Sequence, residues 1–503
     1  MAKTKSRWIC QECGFESSGY LGKCTDCGSW GSVVEEMAIA PAASIRGASA
    51  NTLTSGKSWL SEPLSLLEDV DFGDCKRLPT QMNDVDEVLG GGLVPGGVIL
   101  ISGEPGIGKS TLLLQIAGAL SKSNKVLYFA SEESKGQVKL RAERLGLGSA
   151  QIYLDGSHNT QEIAQKLQEA KAEVAIIDSI QSIYHPQISS ASGSVSQVRE
   201  SAQLIIDTAK DASTSVIVVG HVTKDGSIAG PRVLEHMVDV VLIFEGDRTR
   251  RLRVLRTIKN RFGSTQVSAI FTMTEDGLKA VDNPSELLLG ERLELVGKKQ
   301  APSGTAIISA QEGRRSLFLE VQALVANSNA GANSSPKRLA NGWDTNRLLQ
   351  IIAVLEKKLQ MSLGRADVYV NVVGGLDLND PAGDLGVCIA IATSYMDRSL
   401  DPGSVFIGEI GLTAEIRAVA DLEKRLLEAQ RLGFTHAYVP KANLPLSKNP
   451  GKMNVIGVDS VKEVFEQVMP QLLHRTKAQP QPQATNQDIN LASEYAPASA
   501  EMV

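Results

Sequence analysis

The stretch Gly103-Glu104-Pro105-Gly106-Ile107-Gly108-Lys109-Ser110-Thr111 has the spacing of a phosphate-binding loop. Its glycines let the backbone curl so that N–H groups converge on phosphate oxygens. Lys109 supplies a cation for the β and γ phosphates, and the Ser110 hydroxyl suits Mg2+. Before the loop runs Val98-Ile99-Leu100-Ile101, an apolar segment that reads as a buried strand. After it, Leu112-Leu113-Leu114-Gln115-Ile116-Ala117 has helix-forming character. A strand, this loop and a helix N-terminus together make an anion site. The expected ligand is ATP, bound by Gly103 through Thr111.

Outward from the loop, apolar segments alternate with helical ones. Lys125-Val126-Leu127-Tyr128-Phe129-Ala130 ends in Ser131-Glu132-Glu133, and Val174-Ala175-Ile176-Ile177 closes on Asp178. Val216 to His221 and Val238 to Phe244 are further strands. The alternation predicts an α/β fold with a mostly parallel sheet covered on both faces. An acid at the end of a strand beside a phosphate loop, as Asp178 is, can hold the water shell of a nucleotide-bound magnesium. Capping of the next turn is its plainer role.

At the N-terminus, Cys10 and Cys13 form one C-x-x-C pair and Cys24 and Cys27 another. Four thiolates so arranged can close tetrahedrally on Zn2+. The alternatives are a redox pair or two disulfides. Cys75 and Cys388 stand alone and read as small packed residues.

The chain of 503 residues has room for two to four domains. The expected division is a zinc module over 1–36, a linker over 37–60, an ATPase domain over 61–283, a further folded unit over 284–474 and a disordered tail over 475–503. A net charge of −6 excludes a globally basic nucleic-acid binder, so DNA contact needs local patches. No apolar run approaches the length of a membrane span, and no signal peptide is evident. The expected location is cytoplasmic, with no membrane contact, and in a reducing compartment zinc is favoured over disulfides.

Two polar stretches separate the later strands. His185 to Gln197 is Ser-rich, and Val222 to Arg232 contains Lys224 and Arg232. Arg248, Arg250, Arg251, Arg253, Arg256, Lys259 and Arg261 then crowd one short span. The alternation Arg251-Leu252-Arg253-Val254-Leu255-Arg256 predicts a strand with one basic face, either DNA-binding through Arg251 and Arg253 or merely solvated. Further on, Asn327 to Asn346 reads as an exposed loop, and 345–360 and 422–432 as amphipathic helices.

The order of these parts, together with Lys259-Asn260-Arg261-Phe262-Gly263, resembles the bacterial RadA (Sms) family of DNA-repair proteins, distinct from the archaeal recombinase of that name. The resemblance spans roughly 8–471. It implies a RecA-like P-loop ATPase core with an N-terminal zinc knuckle and a C-terminal α+β domain like that of the Lon protease. In that comparison Lys109 and Ser110 bind phosphates and magnesium, and Asp178 is the Walker B acid. Glu132, or the adjacent Glu133, polarises the attacking water. His221 sits where a γ-phosphate sensor belongs, or is simply a packed histidine. The stretches holding Lys224 and Arg232 match DNA-facing loops, and Lys259 and Arg261 match fingers across a subunit interface.

The Lon-like segment departs from its pattern at both catalytic positions. Asp384, in Gly383-Asp384-Leu385-Gly386, replaces the nucleophile, and Glu423 stands where the base lysine belongs. The resemblance therefore implies a DNA-dependent, helicase-type ATPase of homologous recombination, processing branched intermediates. It also implies single-stranded and branched DNA as partners, a RecA-type recombinase, and assembly as a homo-oligomer, a hexamer. The alternatives are an ATP-dependent Lon-like protease and a non-enzymatic zinc scaffold.

Overall fold

The structure is a computed structural model describing residues 6–10, 15–26, 28, 30–37, 66, 76–222, 228–229, 233–246, 252–297, 300–328, 335–376, 378–447 and 451–469. Apart from Met37, the last residue of an N-terminal strand, the expected linker and the expected C-terminal tail lie outside these residues.

At the N-terminus, β1 (Ser6–Cys10), β2 (Glu16–Ser17) and β3 (Val33–Met37) form an antiparallel sheet in the order β2-β1-β3. So short a segment builds little core, and Cys10, Cys24 and Val33 cluster with Trp8, Phe15 and Leu21.

The large unit runs through α1 (Asn83–Leu89), β4 (Val98–Gly103), α2 (Lys109–Leu120), β5 (Val126–Ala130), α3 (Lys135–Arg144), β6 (Ile152–Asp155) and α4 (Thr160–Ala170). It continues with β7 (Val174–Asp178), α5 (Val195–Asp211), β8 (Ser215–Val222), β9 (Ile228–Ala229), α6 (Val233–Met237) and β10 (Val240–Glu245). Three antiparallel strands close it, β11 (Leu252–Asn260), β12 (Ser268–Thr274) and β13 (Gly277–Ala280). The sheet order is β13-β12-β11-β10-β4-β8-β7-β5-β6, with β9 beside β8. From β10 to β6 along that order all pairings are parallel.

The apolar runs fold this way because both faces of the sheet are covered. Ile99 and Ile101 pack with Leu112, Leu113 and Ile116 of α2, whereas Val98 and Leu100 pack with Ile205 and Ala209 of α5. Strand β8 lies between β4 and β7, so His221 falls between the phosphate loop and Asp178. Its register partner on β4 is Gly103.

The second unit contains α7 (Pro284–Leu289), β14 (Thr305–Glu312), β15 (Arg315–Asn327), β16 (Arg338–Asn341), α8 (Thr345–Leu359), β17 (Ala366–Val372) and α9 (Asp384–Met396). It ends with β18 (Ser404–Phe406), β19 (Glu409–Ile410), β20 (Ile416–Arg417), α10 (Leu422–Arg431), β21 (His436–Pro440), β22 (Asn454–Val458) and α11 (Val461–Val468). Its mixed sheet has the order β16-β17-β15-β14-β18-β21-β22.

The segment expected as one exposed loop, 327–346, instead contains the edge strand β16, parallel to β17. Arg338-Leu339-Ala340-Asn341 carries little strand propensity, and pairing with β17 sets its conformation.

The expected basic strand face is also corrected. Arg253 is 5% exposed, and Arg256 is directed at the second unit, where its fork meets both oxygens of Glu312 at 2.6 and 2.8 Å. Leu252, Val254 and Ile270 join the apolar cluster of Ile308, Leu317 and Leu319, and Arg315 reaches back to Asp84 at 2.9 Å. Arg253 is thus covered by the phosphate loop and Arg256 is tied to the neighbouring sheet.

Candidate functional site

The phosphate loop is shaped by what lies beneath it. Gly108 adopts φ +116°, a conformation that side chains rarely tolerate, and a Cβ there would also crowd Met273 Cε at 2.7 Å, so glycine is favoured. The Ile107 side chain is buried in the core below. Helix α2 begins at Lys109, which places its free N–H groups and the positive end of its dipole at the loop. Lys109 is 5% exposed and its Nζ donates to the carbonyls of Gly103 and Glu104 at 2.6 and 3.0 Å. Burial pulls its pKa down to about 8, against the opposing pull of Asp178, Glu132 and Glu104.

Opposite Lys109, Asp178 ends β7. Burial pushes its pKa up, while hydrogen bonds from Ser110 and Tyr128 oppose that. The Tyr128 hydroxyl donates to Asp178 Oδ2 at 2.8 Å. Sequence reasoning missed Tyr128, although a tyrosine two residues before a strand's polar end was the available signal. The contact of Ser110 with Asp178 is the donor set a magnesium ion would take, so these residues fit Mg2+.

The two glutamates after β5 part company. Glu132 Oε2 lies 3.0 Å from His221 Nε2, and its charge acts on both Lys109 and Asp178. Glu133, whose charge also acts on Asp178, pairs with Arg141 of α3 at 2.7 Å.

Lys259 and Arg261 lie at the other end of the sheet. Lys259 is opposite Val241, and the Arg261 N–H donates to Asp239 O, level with Val98. Lys259 Nζ donates to the carbonyls of Glu235, His236 and Val238 at 2.7, 3.3 and 2.8 Å. Arg261 pairs with Asp239 at 3.0 Å, and Asp239 Oδ2 also accepts from the Val98 N–H at 3.0 Å. Asp239 was missed, yet an acid inside the apolar run Val238-Asp239-Val240 is an anomaly that could have flagged it.

In the N-terminal sheet, Cys10 and Cys24 are both buried in one cluster, and Cys10 Sγ lies 3.2 Å from Ser32 Oγ. Cys13 and Cys27 lie outside the described residues. Among the described residues no group of three or more possible ligands gathers. Cys10 and Cys24, buried in one cluster, fit one half of a four-thiolate zinc site. Of the residues expected at DNA, Lys224, Arg232 and Arg251 also lie outside the described residues. Arg253 is the fourth, and its buried guanidinium donates through Nε to Ile107 O at 3.1 Å.

In the second unit, Asp384 is 1% exposed at the start of α9 and accepts from both Nε and Nη2 of Arg347 and from the Ile410 N–H. Glu423 accepts from the Ser447 N–H and hydroxyl at 2.6 Å each. A carboxylate locked in an ion pair cannot act as a serine nucleophile does, and the peptidase alternative has no support here.

The family model of the AAA domain matches residues 61–227, and that of the rubredoxin metal binding domain matches 8–35, which spans all four paired cysteines. Among solved structures, an ATPase domain covers 42% of this chain and 93% of its own at 13% identity, with a TM-score of 0.37, an overlap too loose to bear on the fold. The chain is 45% identical over 466 residues to the DNA repair protein RadA of Bacillus subtilis (strain 168), covering 92% of this chain and 99% of that one. Against the same protein of Listeria monocytogenes serovar 1/2a it is 43% identical over 470 residues, covering 93% and 99%. Against that of Streptococcus pyogenes serotype M6 it is 45% identical over 468 residues, covering 93% and 100%. With its RecA-like α/β core, its phosphate loop and its zinc ribbon, the chain belongs to the family of the DNA repair protein RadA.

Proposed function

We propose that this protein is a DNA-dependent ATPase that acts as an oligomeric motor, extending the pairing of single strands with duplex DNA at branched recombination intermediates. One observation carries the reading. The nucleotide groups gather at one end of the sheet, and the cations of Lys-Asn-Arg-Phe-Gly sit at the other. Arg261 is level with Val98, five residues before Gly103. At about 3.3 Å per residue that is roughly 16 Å from the same chain's phosphate loop. Lys259 and Arg261 therefore serve a nucleotide only if it is held by a neighbouring copy, as a closed ring provides.

In the hydrolytic step, Lys109 leaves its carbonyl partners for the phosphates. Ser110 and Asp178 would hold Mg2+, which would supply positive charge to the phosphates when bound. Glu132 orients the attacking water and takes its proton, with His221 fixing the carboxylate. A cation from the adjacent subunit stabilises charge developing on the transferred group.

DNA contact falls to basic segments flanking β8 and β9, and the Lon-like unit contributes to assembly and DNA contact rather than to peptide hydrolysis. A RecA-type recombinase is the expected source of the branched substrate. That the relatives are DNA repair proteins supports the choice of DNA. The test is branch migration on a synthetic three-strand junction. ATP-dependent strand extension that disappears in Lys109→Ala supports the reading, and wild-type protein that hydrolyses ATP without moving the branch contradicts it.

A further inference from the structure

We infer that Arg253 is a positioning residue for the phosphate loop, setting the peptide plane whose N–H completes the phosphate cradle. This rests on the reading of residues 103–111 as the nucleotide site. The Arg253 Nε donates to Ile107 O at 3.1 Å, across 146 residues of sequence, and Nη1 donates to Leu252 O at 2.8 Å. Ile107 C=O and Gly108 N–H belong to one peptide unit, which is planar and trans. Fixing the carbonyl toward Arg253 therefore aims the N–H the opposite way, into the loop. Gly108 has no side chain to hold that plane and sits at φ +116°, a region with few intrinsic restraints for glycine. The restraint comes from Arg253 instead.

The place of Arg253 is itself built. At Gly246 a Cβ would stand 2.5 Å from Leu252 O and 2.8 Å from Arg253 Cδ, so a glycine on the segment after β10 makes room for β11 and for the side chain it carries. Arg253 is 5% exposed, too deep to meet DNA, and it sets a positive charge under the loop where phosphates would sit. The strand that carries it, β11, also carries Arg256 to Glu312 of the second unit and Lys259 near its far end. One strand thus ties the phosphate loop to the neighbouring domain and to the expected finger.

The experiment measures equilibrium binding of a fluorescent ATP analogue and steady-state hydrolysis in the full-length protein for Arg253→Met and Arg253→Lys. Thermal unfolding is recorded without nucleotide. Arg253→Met keeps bulk and loses the fork. It should weaken nucleotide binding and raise KM for ATP about tenfold, the size of one charge-assisted hydrogen bond, with kcat changed less. Arg253→Lys should recover the charge but not the Nε geometry, and fall between. A residue that only packs would lower the melting temperature without moving KM at temperatures below unfolding, and that result overturns the proposal. Failure of both variants to fold makes Arg253 a core residue and overturns it equally. If the wild-type protein itself binds no nucleotide, the site reading fails instead, and the two failures are thereby distinguished.

Discussion

His221 Nε2 and Glu132 Oε2 lie 3.0 Å apart, although 89 residues separate them in the chain. Strand β8 carries the histidine to the level of Gly103, and the turn after β5 brings the glutamate to meet it. The segment following His221 is where DNA-facing residues are expected. On the proposed reading, a histidine that holds the carboxylate and leads into that segment would couple DNA engagement to water activation.

The first prediction separates the two adjacent glutamates. Glu132→Gln should reduce hydrolysis roughly 10²- to 10⁴-fold, the usual contribution of a general base, while ATP still binds. Glu133→Gln should leave hydrolysis within a few-fold, because its carboxylate serves Arg141. Single-turnover hydrolysis and nucleotide binding on both variants check this, and the reverse pattern would reassign the base.

A second prediction follows from the buried amine of Lys109. Its pKa is about 8, because burial disfavours the charged form. Bound phosphates favour the ammonium and raise that value, so binding takes up a proton once the pH exceeds about 8. Affinity for ATP should be flat below that pH and fall above it. Folding has the opposite slope: the unfolded amine titrates near 10.5, so relief of the buried charge adds stability as pH rises from about 8 toward that value. Calorimetric titration in two buffers of different ionisation heat reads the proton uptake, and Lys109→Ala should abolish both the uptake and hydrolysis.

For the zinc module, metal analysis should find about one zinc per chain, the tetrahedral stoichiometry of four thiolates. Cys10→Ser or Cys24→Ser should release it and unfold the N-terminal sheet. Four freely titrating thiols in a folded wild-type module would rule the site out.

The ion pair of Arg347 with Asp384 predicts a structural role in the second unit. Asp384 is only 1% exposed, so Asp384→Asn leaves Arg347 half-satisfied and should destabilise the fold by on the order of 3 kcal/mol. Melting curves test this. Peptide hydrolysis in the wild-type protein that vanishes with Asp384→Ala would contradict it.

What the chain revealed by itself divides along a physical line. Local patterns carried the strands, the phosphate loop and Asp178, because each depends on neighbours within a few residues. The split between Glu132 and Glu133 did not follow from adjacent identical side chains. It is set by His221 and Arg141, which lie elsewhere in sequence. Arg253 misled for the same reason: its alternation with Leu252 and Val254 is the pattern of a solvated strand face, and only the phosphate loop above it makes that face interior. Asp239, Tyr128 and Arg347 went unread because their partners become neighbours only after folding.

Mixing subunits tests the trans role of Lys259. The Lys259→Ala protein keeps its phosphate loop, and the Lys109→Ala protein keeps its cations. In randomly mixed rings roughly a quarter of interfaces would join an intact loop to an intact finger. Hydrolysis should therefore reappear on mixing two inactive proteins, whereas co-assembly without recovery would place Lys259 in a structural role at α6.

The most direct measurement is steady-state ATP hydrolysis titrated with single-stranded DNA, on the wild-type protein and on Lys109→Ala. The account predicts a rate that rises with DNA to a plateau in the wild type and stays at background in the variant. A wild-type rate that does not respond to DNA, or one that survives the loss of Lys109, would contradict it.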